Sequence, residues 1–303
     1  MQKLFLTGGT SLLGKAITTQ IPLGWRIILA EHKNKNVFPL QKNVTTVSLD
    51  ITDPNQVSTL ISQHKPQIII HAAALSNVDY CQTHPKQTLL VNVSGTQNVV
   101  NVCEKLRIPL FFISTNAVFG GTSPPTDGYS EEDEPNPVNF YGKSKYDGEK
   151  IVKSSTLPWI IIRLITMYGW PPPGARQNPV TWVLEKLANG EKLKVVNDIQ
   201  LNPLYNHDAA QTIWAIIQNG RAKNIYHVAG SEIVNRYQWA VETAKVFSFD
   251  PSLISPIPSS FFDLKIAPRP QQTIYSIEKI KREFGITPQG IKSGLKAMKN
   301  EKH

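Results

Sequence analysis

Cysteine is scarce: Cys81 and Cys103 are the only two in 303 residues. Two thiols cannot build the disulfide framework of a small secreted fold, so a reducing, cytoplasmic setting is expected. No cysteine–histidine cluster has metal-ligand spacing, and no metal is expected. No uninterrupted apolar stretch nears the ~20 residues of a membrane helix. The opening "MQKLFLTGGT" is too short in apolar residues for a signal peptide, so no membrane partner is expected either. Internal repeats and low-complexity tracts are absent. Acidic residues are outnumbered, 23 against 32 basic, for a net charge of +9 and a pI near 9.4. The basic residues are scattered, and their denser groups (residues 32–36, 277–284 and the C-terminal end) lack interleaved aromatics. That pattern reads as a solvated basic surface with a leaning toward anionic small molecules, and no nucleic-acid partner is expected.

What the chain does have is length enough for a large core and a regular alternation. Apolar, β-branched runs at 3–8, 26–31, 45–50, 67–73, 110–115 and 159–164 predict buried strands, because continuous apolarity suits a sheet covered on both faces. Helices are predicted at 12–21, 55–63, 86–104 and 140–154, the second with Asp53 as N-cap and Pro54 in its first turn. Such alternation implies an α/β fold, a Rossmann-like doubly wound parallel sheet. Residues 1–165 are expected to form an NAD(P)-binding domain. After Leu164 the texture turns rich in proline and aromatics, and residues 166–303 are expected to form a smaller, mainly substrate-binding lobe. Some of its segments, "KLKVV" and "NIYHVA", are expected to return to the sheet.

"LFLTGGTSLLGKA" places Gly8, Ser11 and Gly14 between the first strand and first helix, where a dinucleotide pyrophosphate meets helix N-terminal amides. Glycine there would keep side chains out of the way of the phosphate, and the Ser11 hydroxyl could donate to it. At the end of the second strand Glu31 would accept from a ribose hydroxyl and favour NAD, whereas the following His32 and Lys33 would favour NADP; the choice stays open. Asp50 and Ile51, after the third strand, fall beside an adenine by position.

Ser114 and Thr115 close the fifth apolar run, at the edge where open α/β sheets bind ligands. Tyr141 and Lys145 stand at i, i+4 on one face of the next helix. An ammonium beside a phenol lowers a pKa that is ~10 in water. A strand hydroxyl could hold a substrate oxygen while the phenol passes it a proton. Trp170 could cover a substrate or simply pack, and Arg176 and Arg269 could bind a diphosphate or sit in surface salt bridges.

With these residues in view, the chain resembles an extended short-chain dehydrogenase/reductase and, within that superfamily, the dTDP-4-dehydrorhamnose reductase family. Beyond the glycine loop and "YGKSK", the likeness rests on "PQIIIHAAALSNVDYCQTHP", "VNVSGTQNVV", "STNAVFGG", "YSEEDEPNPVNFYGKSKYDGEK", "RLITMYG" and "APRPQQTIYSIEKIKREFGI". The resemblance implies Thr115 as the catalytic hydroxyl, Tyr141 as the acid, and Lys145 as the residue that tunes Tyr141 and grips the nicotinamide ribose. It also implies Gly8, Ser11, Leu12, Leu13 and Gly14 as the phosphate loop, Ala72, Ala73 and Ala74 as backbone passing the cofactor, and Asn92 in the helix beneath the site. The cofactor would be NADP or NAD. The reaction would reduce the 4-keto group of a nucleotide-linked deoxy sugar, dTDP-4-dehydrorhamnose being the type substrate. Asn116 and Ala117 stand where the family commonly has an acid and a tyrosine, and Leu204 follows Pro203 where a threonine is usual. These departures put the sugar in question. Two alternatives stay open: a 4-epimerase of the same superfamily, and a cofactor-holding regulatory subunit resembling the methionine adenosyltransferase β subunit. Oligomeric state is open, with a homodimer as the candidate assembly.

Overall fold

The computed structural model describes residues 1–32, 41–122, 124–261 and 267–301. Six of its strands are β1 (Gln2–Thr7), β2 (Trp25–Glu31), β3 (Val44–Ser48), β4 (Ile68–His71), β5 (Leu110–Thr115) and β6 (Trp159–Leu164). Each lies within about two residues of its predicted run. With the strand Asn224–Val228 they form a seven-stranded sheet, ordered from that strand through β6, β5, β4 and β1 to β2 and β3. Every pairing in it is parallel. The order reverses between β1 and β4, and a cleft opens beyond the strand ends at that point.

The first six helices are α1 (Leu12–Thr19), α2 (Pro54–His64), α3 (Val78–Thr83), α4 (Pro85–Leu89), α5 (Gly95–Leu106) and α6 (Phe140–Ser154). Leu4 and Leu6 of β1 face a core shared with α1 and the helix Asn206–Asn219. Phe5 between them faces a core shared with α2 and α5. That alternation along β1 is the pleat of a sheet covered on both sides. Asp53 caps α2 as expected, accepting from the Asn55 and Gln56 amides at 2.9 and 3.1 Å. The helix predicted at 86–104 is instead α4 and α5 joined by a π-helical turn, Leu90–Ser94, that buries Asn92. Helix α3 was not foreseen.

Two expectations about burial and topology fail. β3 is only partly covered, because it forms the sheet edge with a neighbour on one side alone. "NIYHVA" does return to the sheet, pairing with β6. "KLKVV" does not: Leu193–Val196 pairs with Ile254–Ile257 in a separate two-stranded ribbon. Two further ribbons join Met167–Tyr168 to Leu204–Tyr205 and Gln200–Leu201 to Val234–Asn235.

Gly8 follows β1 with φ +72°, and a Cβ built there would lie 2.7–2.8 Å from the Ala72–Ala73 backbone. Its demand for glycine thus comes from the chain leaving β4, which presses on it, rather than from phosphate access alone. Gly8→Ala should lower unfolding free energy by about 1–3 kcal/mol, the usual cost of forcing atoms into a packed site. Urea denaturation of the ligand-free protein measures this, and an unchanged midpoint would contradict the crowding.

Candidate active site

Above the switch point lies a cleft of about 390 Å³ lined by Gly8, Glu31, Asp50, Ile51, Ala73 and Ala74 among others. β1, β2 and β4 deliver Gly8, Glu31 and the alanines at their carboxyl ends. The turn after β3 delivers Asp50 and Ile51. The remaining predicted loop residues stand apart from the lining. Ser11 is the N-cap of α1, and its hydroxyl oxygen accepts from the Gly14 amide at 3.1 Å. Leu13 is 3 % exposed and belongs to the core, Leu12 is half-buried, and Gly14 is pressed against the Gly9 carbonyl. Ala72 donates its amide to Thr7 and is half-buried. The Asp50 carboxylate accepts from the Thr52 amide and hydroxyl and lies 3.4 Å from the His32 imidazole. Lys33, the second cation considered for NADP, lies outside the described residues.

Thr115 ends the neighbouring strand β5, and Tyr141 and Lys145 stand in the first two turns of α6, which packs on that strand; none of the three lines the cleft itself. α6 is capped by Asn139, whose side chain accepts from Gly142 N at 2.9 Å and donates to the Pro268 carbonyl at 2.9 Å. A Cβ on Gly142 would lie 2.0 Å from the Ala117 carbonyl, so the first turn of α6 sits hard against the turn that follows β5. That contact sets the start of α6, which carries Tyr141, beside the end of β5, which carries Thr115. Ser114 points elsewhere and donates to Glu149 at 2.5 Å.

The electrostatics differ from expectation. Burial pushes the Tyr141 phenol up to about 12, and the hydrogen bond from Thr115 opposes this. Burial likewise pulls Lys145 down to about 7, opposed by the charge of Glu149. The Lys145 ammonium lies 4.1 Å from the centre of the Phe112 ring. The expected lowering of Tyr141 by Lys145 is therefore overridden in the protein alone. Desolvation disfavours both charged forms, and a half-protonated lysine has little charge to offer a phenolate.

A polar chain runs beneath these groups. His71, fully buried, bonds Thr7 at 2.7 Å and Thr96 at 3.1 Å. Thr96 donates to the Asn92 carbonyl. The Asn92 side chain in turn accepts from Leu75 N, and donates to the Leu75 carbonyl and to Ser144 in α6. Asn92 thus ties the segment after β4 to the helix that carries Tyr141 and Lys145, from a π-turn of the kind often found at functional sites.

A second cavity, about 480 Å³, is lined by Arg176, Trp182, Lys194, Arg236 and Trp239 among others. Arg176 is found there, but Arg269 is not. Arg269 pairs with Asp79 at 2.8 Å and so ties the 267–270 segment to α3. The charge of Arg269 nevertheless helps burial to depress Arg236, and the Arg269 hydrogen bond, with smaller help from the Ala267 amide and the charges of Arg269 and Arg176, holds Asp79 below its usual value. Arg236, Trp182 and Trp239 were not singled out because they lie beyond residue 166, where no individual helix was predicted. The arginine count offered the one signal. Trp170 is packing: its indole donates to the Met298 carbonyl at 2.7 Å and meets Phe247 edge-on. Asn116 reaches Thr273 at 2.7 Å, Ala117 is buried against α6, and Leu204 is wholly buried in its ribbon. Among the described residues no acidic–His–Cys group could hold a metal, and no helix is long and apolar enough to cross a membrane.

The RmlD substrate binding domain family model matches residues 1–303. The chain is 28% identical to the probable low-salt glycan biosynthesis reductase Agl14 of Haloferax volcanii, covering 97% of this chain and 96% of that protein. It is also 28% identical to the methionine adenosyltransferase 2 subunit beta of Xenopus laevis, over 93% of this chain and 82% of that one. The crystal structure of dTDP-4-dehydrorhamnose reductase from Bacillus anthracis, in complex with NADP, superposes with a TM-score of 0.86 at 25% identity, covering both chains fully. The expected fold, family and oxidoreductase class are met by these matches.

Burial, helped by the charge of Lys145, lowers His71 to about 3 from an ordinary 6.5. Between those values the unfolded imidazole binds a proton that the folded one refuses, so stability falls as pH drops through that window. Thermal midpoints from pH 7 to 4 should fall less steeply in His71→Gln than in the parent. Parallel curves would remove His71 as a source of the acid sensitivity.

Proposed function

The chain belongs to the RmlD substrate binding domain family, and on that premise we propose that it is an NAD(P)H-dependent reductase of the 4-keto group of a nucleotide-linked deoxy sugar, dTDP-4-dehydrorhamnose being the leading candidate. The observation that carries this reading is the packing of the α6 turn that carries Tyr141 on the end of β5 that carries Thr115, one strand away from a cleft lined like a dinucleotide site. The cleft residues fit such a cofactor. Its volume lies in the range of small-molecule sites, Glu31 stands at the end of β2 for a ribose, and the Gly8–Gly14 loop opens onto the α1 N-terminus. The nicotinamide would supply the hydride to the carbonyl carbon.

The protein's own residues do the rest. Thr115 holds the substrate oxygen by a hydrogen bond and steadies the phenol. Tyr141, with its pKa near 12, stays protonated at neutral pH and so stands ready as the acid that reduction requires. Lys145 holds the nicotinamide ribose. The cavity bounded by Arg176, Lys194 and Arg236 suits a nucleoside diphosphate, with Trp182 and Trp239 as apolar walls for the base. The Asn116–Thr273 bond draws the 271–275 segment toward the strand end, and Asn116 and Ala117 are the positions from which the choice of sugar would be read.

The likeness to the methionine adenosyltransferase subunit supports a second reading, a cofactor-holding subunit without turnover. Oxidation of NADPH and NADH in the presence of a panel of NDP-4-keto-6-deoxy sugars separates the two. Turnover is expected, and silence across the panel together with intact dinucleotide binding would favour the second. Tyr141→Phe should slow turnover by ~10²–10⁴-fold, a general acid's contribution, with dinucleotide affinity nearly unchanged; undiminished turnover would remove Tyr141 from the reaction. Arg236→Met should raise KM for the sugar nucleotide at least tenfold, the loss of about 1.4 kcal/mol of binding, and leave dinucleotide affinity as it was. An unchanged KM would move the diphosphate site elsewhere.

A further inference from the structure

Below the Tyr141–Lys145 pair the interior holds a charged network that the reaction as described does not use. Glu149 and Arg163 are both essentially inaccessible to solvent. The Arg163 Nε and a terminal guanidinium nitrogen donate to the two Glu149 oxygens at 2.9 and 2.8 Å, the paired geometry that arginine makes with carboxylates. Ser114 donates to the same carboxylate at 2.5 Å. The other Arg163 terminal nitrogen lies 3.3 Å from His227, which bonds the Tyr129 carbonyl and stacks on Tyr275 at 3.9 Å between ring centres. One carboxylate on α6 is therefore fastened to β5 and β6 and, through Arg163, coupled to the strand Asn224–Val228.

The sequence positions matter. Ser114 immediately precedes Thr115, and Glu149 is one helical turn after Lys145, itself one turn after Tyr141. The same fastening holds the strand end that carries the hydroxyl and the helix that carries the phenol and the amine.

We propose that Glu149 is a positioning residue for the reaction: anchored by Ser114 and Arg163, it sets α6 against β5 and supplies the buried counter-charge one turn below Lys145. The inference rests on the reductase reading for its meaning in catalysis, but not for its test. Burying two ions gains little net stability over an apolar pair, so a role in the site better accounts for their presence than fold stability does.

The groups around Lys145 leave this task to Glu149. His71 on β4 is kept neutral by burial. Cys81 on α3 and Tyr141 on α6 are raised by burial and stay uncharged at neutral pH. The Phe112 ring on β5 meets the ammonium face-on. Around Arg163 lie Tyr146, Tyr275, whose phenol burial raises, and His227, which burial keeps neutral. Glu131 accepts from the His227 amide and is itself raised by burial. The Glu149 charge is what opposes the desolvation of Lys145.

The test is a titration of the full chain with ¹³Cε-labelled lysine, the Lys145 resonance being assigned by its loss in Lys145→Arg. In Glu149→Gln the Lys145 midpoint should fall by about one pH unit or more, the size of the effect of removing a close opposite charge. If that variant does not fold, Glu149→Gln/Arg163→Met removes both charges and leaves neither ion unpaired. The midpoint should fall there too, by less. A purely structural strut would alter melting without moving the titration. An unmoved midpoint in whichever variant is folded overturns the proposal. The measurement needs no substrate, so a failure of sugar turnover would leave its result standing. An unmoved midpoint would likewise leave the reductase reading intact.

Discussion

At Gly142 an added Cβ would meet the Ala117 carbonyl at 2.0 Å, and the first turn of α6 rests directly on the turn after β5. This approach sets the distance between a hydroxyl on a strand and a phenol on a helix. The Asn139 cap fixes where the helix starts, and its second bond, to the Pro268 carbonyl, fastens the same point to a segment 129 residues away. From below, the Glu149–Arg163 pair and the Asn92–Ser144 bond hold the other faces of α6. The helix that carries Tyr141 and Lys145 is thus tied on several sides, the kind of support that precise placement of side chains demands.

Burial then decides the charge state of those groups. Desolvation raises the phenol of Tyr141 and lowers the amine of Lys145 and the imidazole of His71, in each case favouring the neutral form. The protein by itself therefore presents a protonated acid and a lysine poised near neutrality. A neighbouring carboxylate has large leverage on such a lysine, since a small change in local field moves it across the working pH.

The two cavities differ in their walls. One lies over the switch point of the sheet and is walled by strand ends and backbone; the other is walled by side chains of helices and ribbons beyond residue 166. Arg269, paired with Asp79 of α3 and acting electrostatically on Arg236, links the surroundings of the two.

The strands, their order of appearance, the Asp53 cap and the residues at the strand ends were legible in the sequence. Apolar runs and turn chemistry are local signals, and a parallel sheet places its ligands at a predictable edge. The destination of "KLKVV" was not legible, since a short apolar run carries no information about which partner it will meet. Nor were the π-turn at Asn92, the packing of Trp170, the diversion of Arg269 to Asp79, or Arg236 in the second cavity. Those depend on contacts between residues distant in the chain. The amino-acid order by itself determined which groups stand at the ends of strands and first turns of helices, because periodicity and capping act over a few residues. Only the tertiary structure decided their protonation and their partners, because desolvation and ion pairing are set by whatever else is packed within a few ångströms.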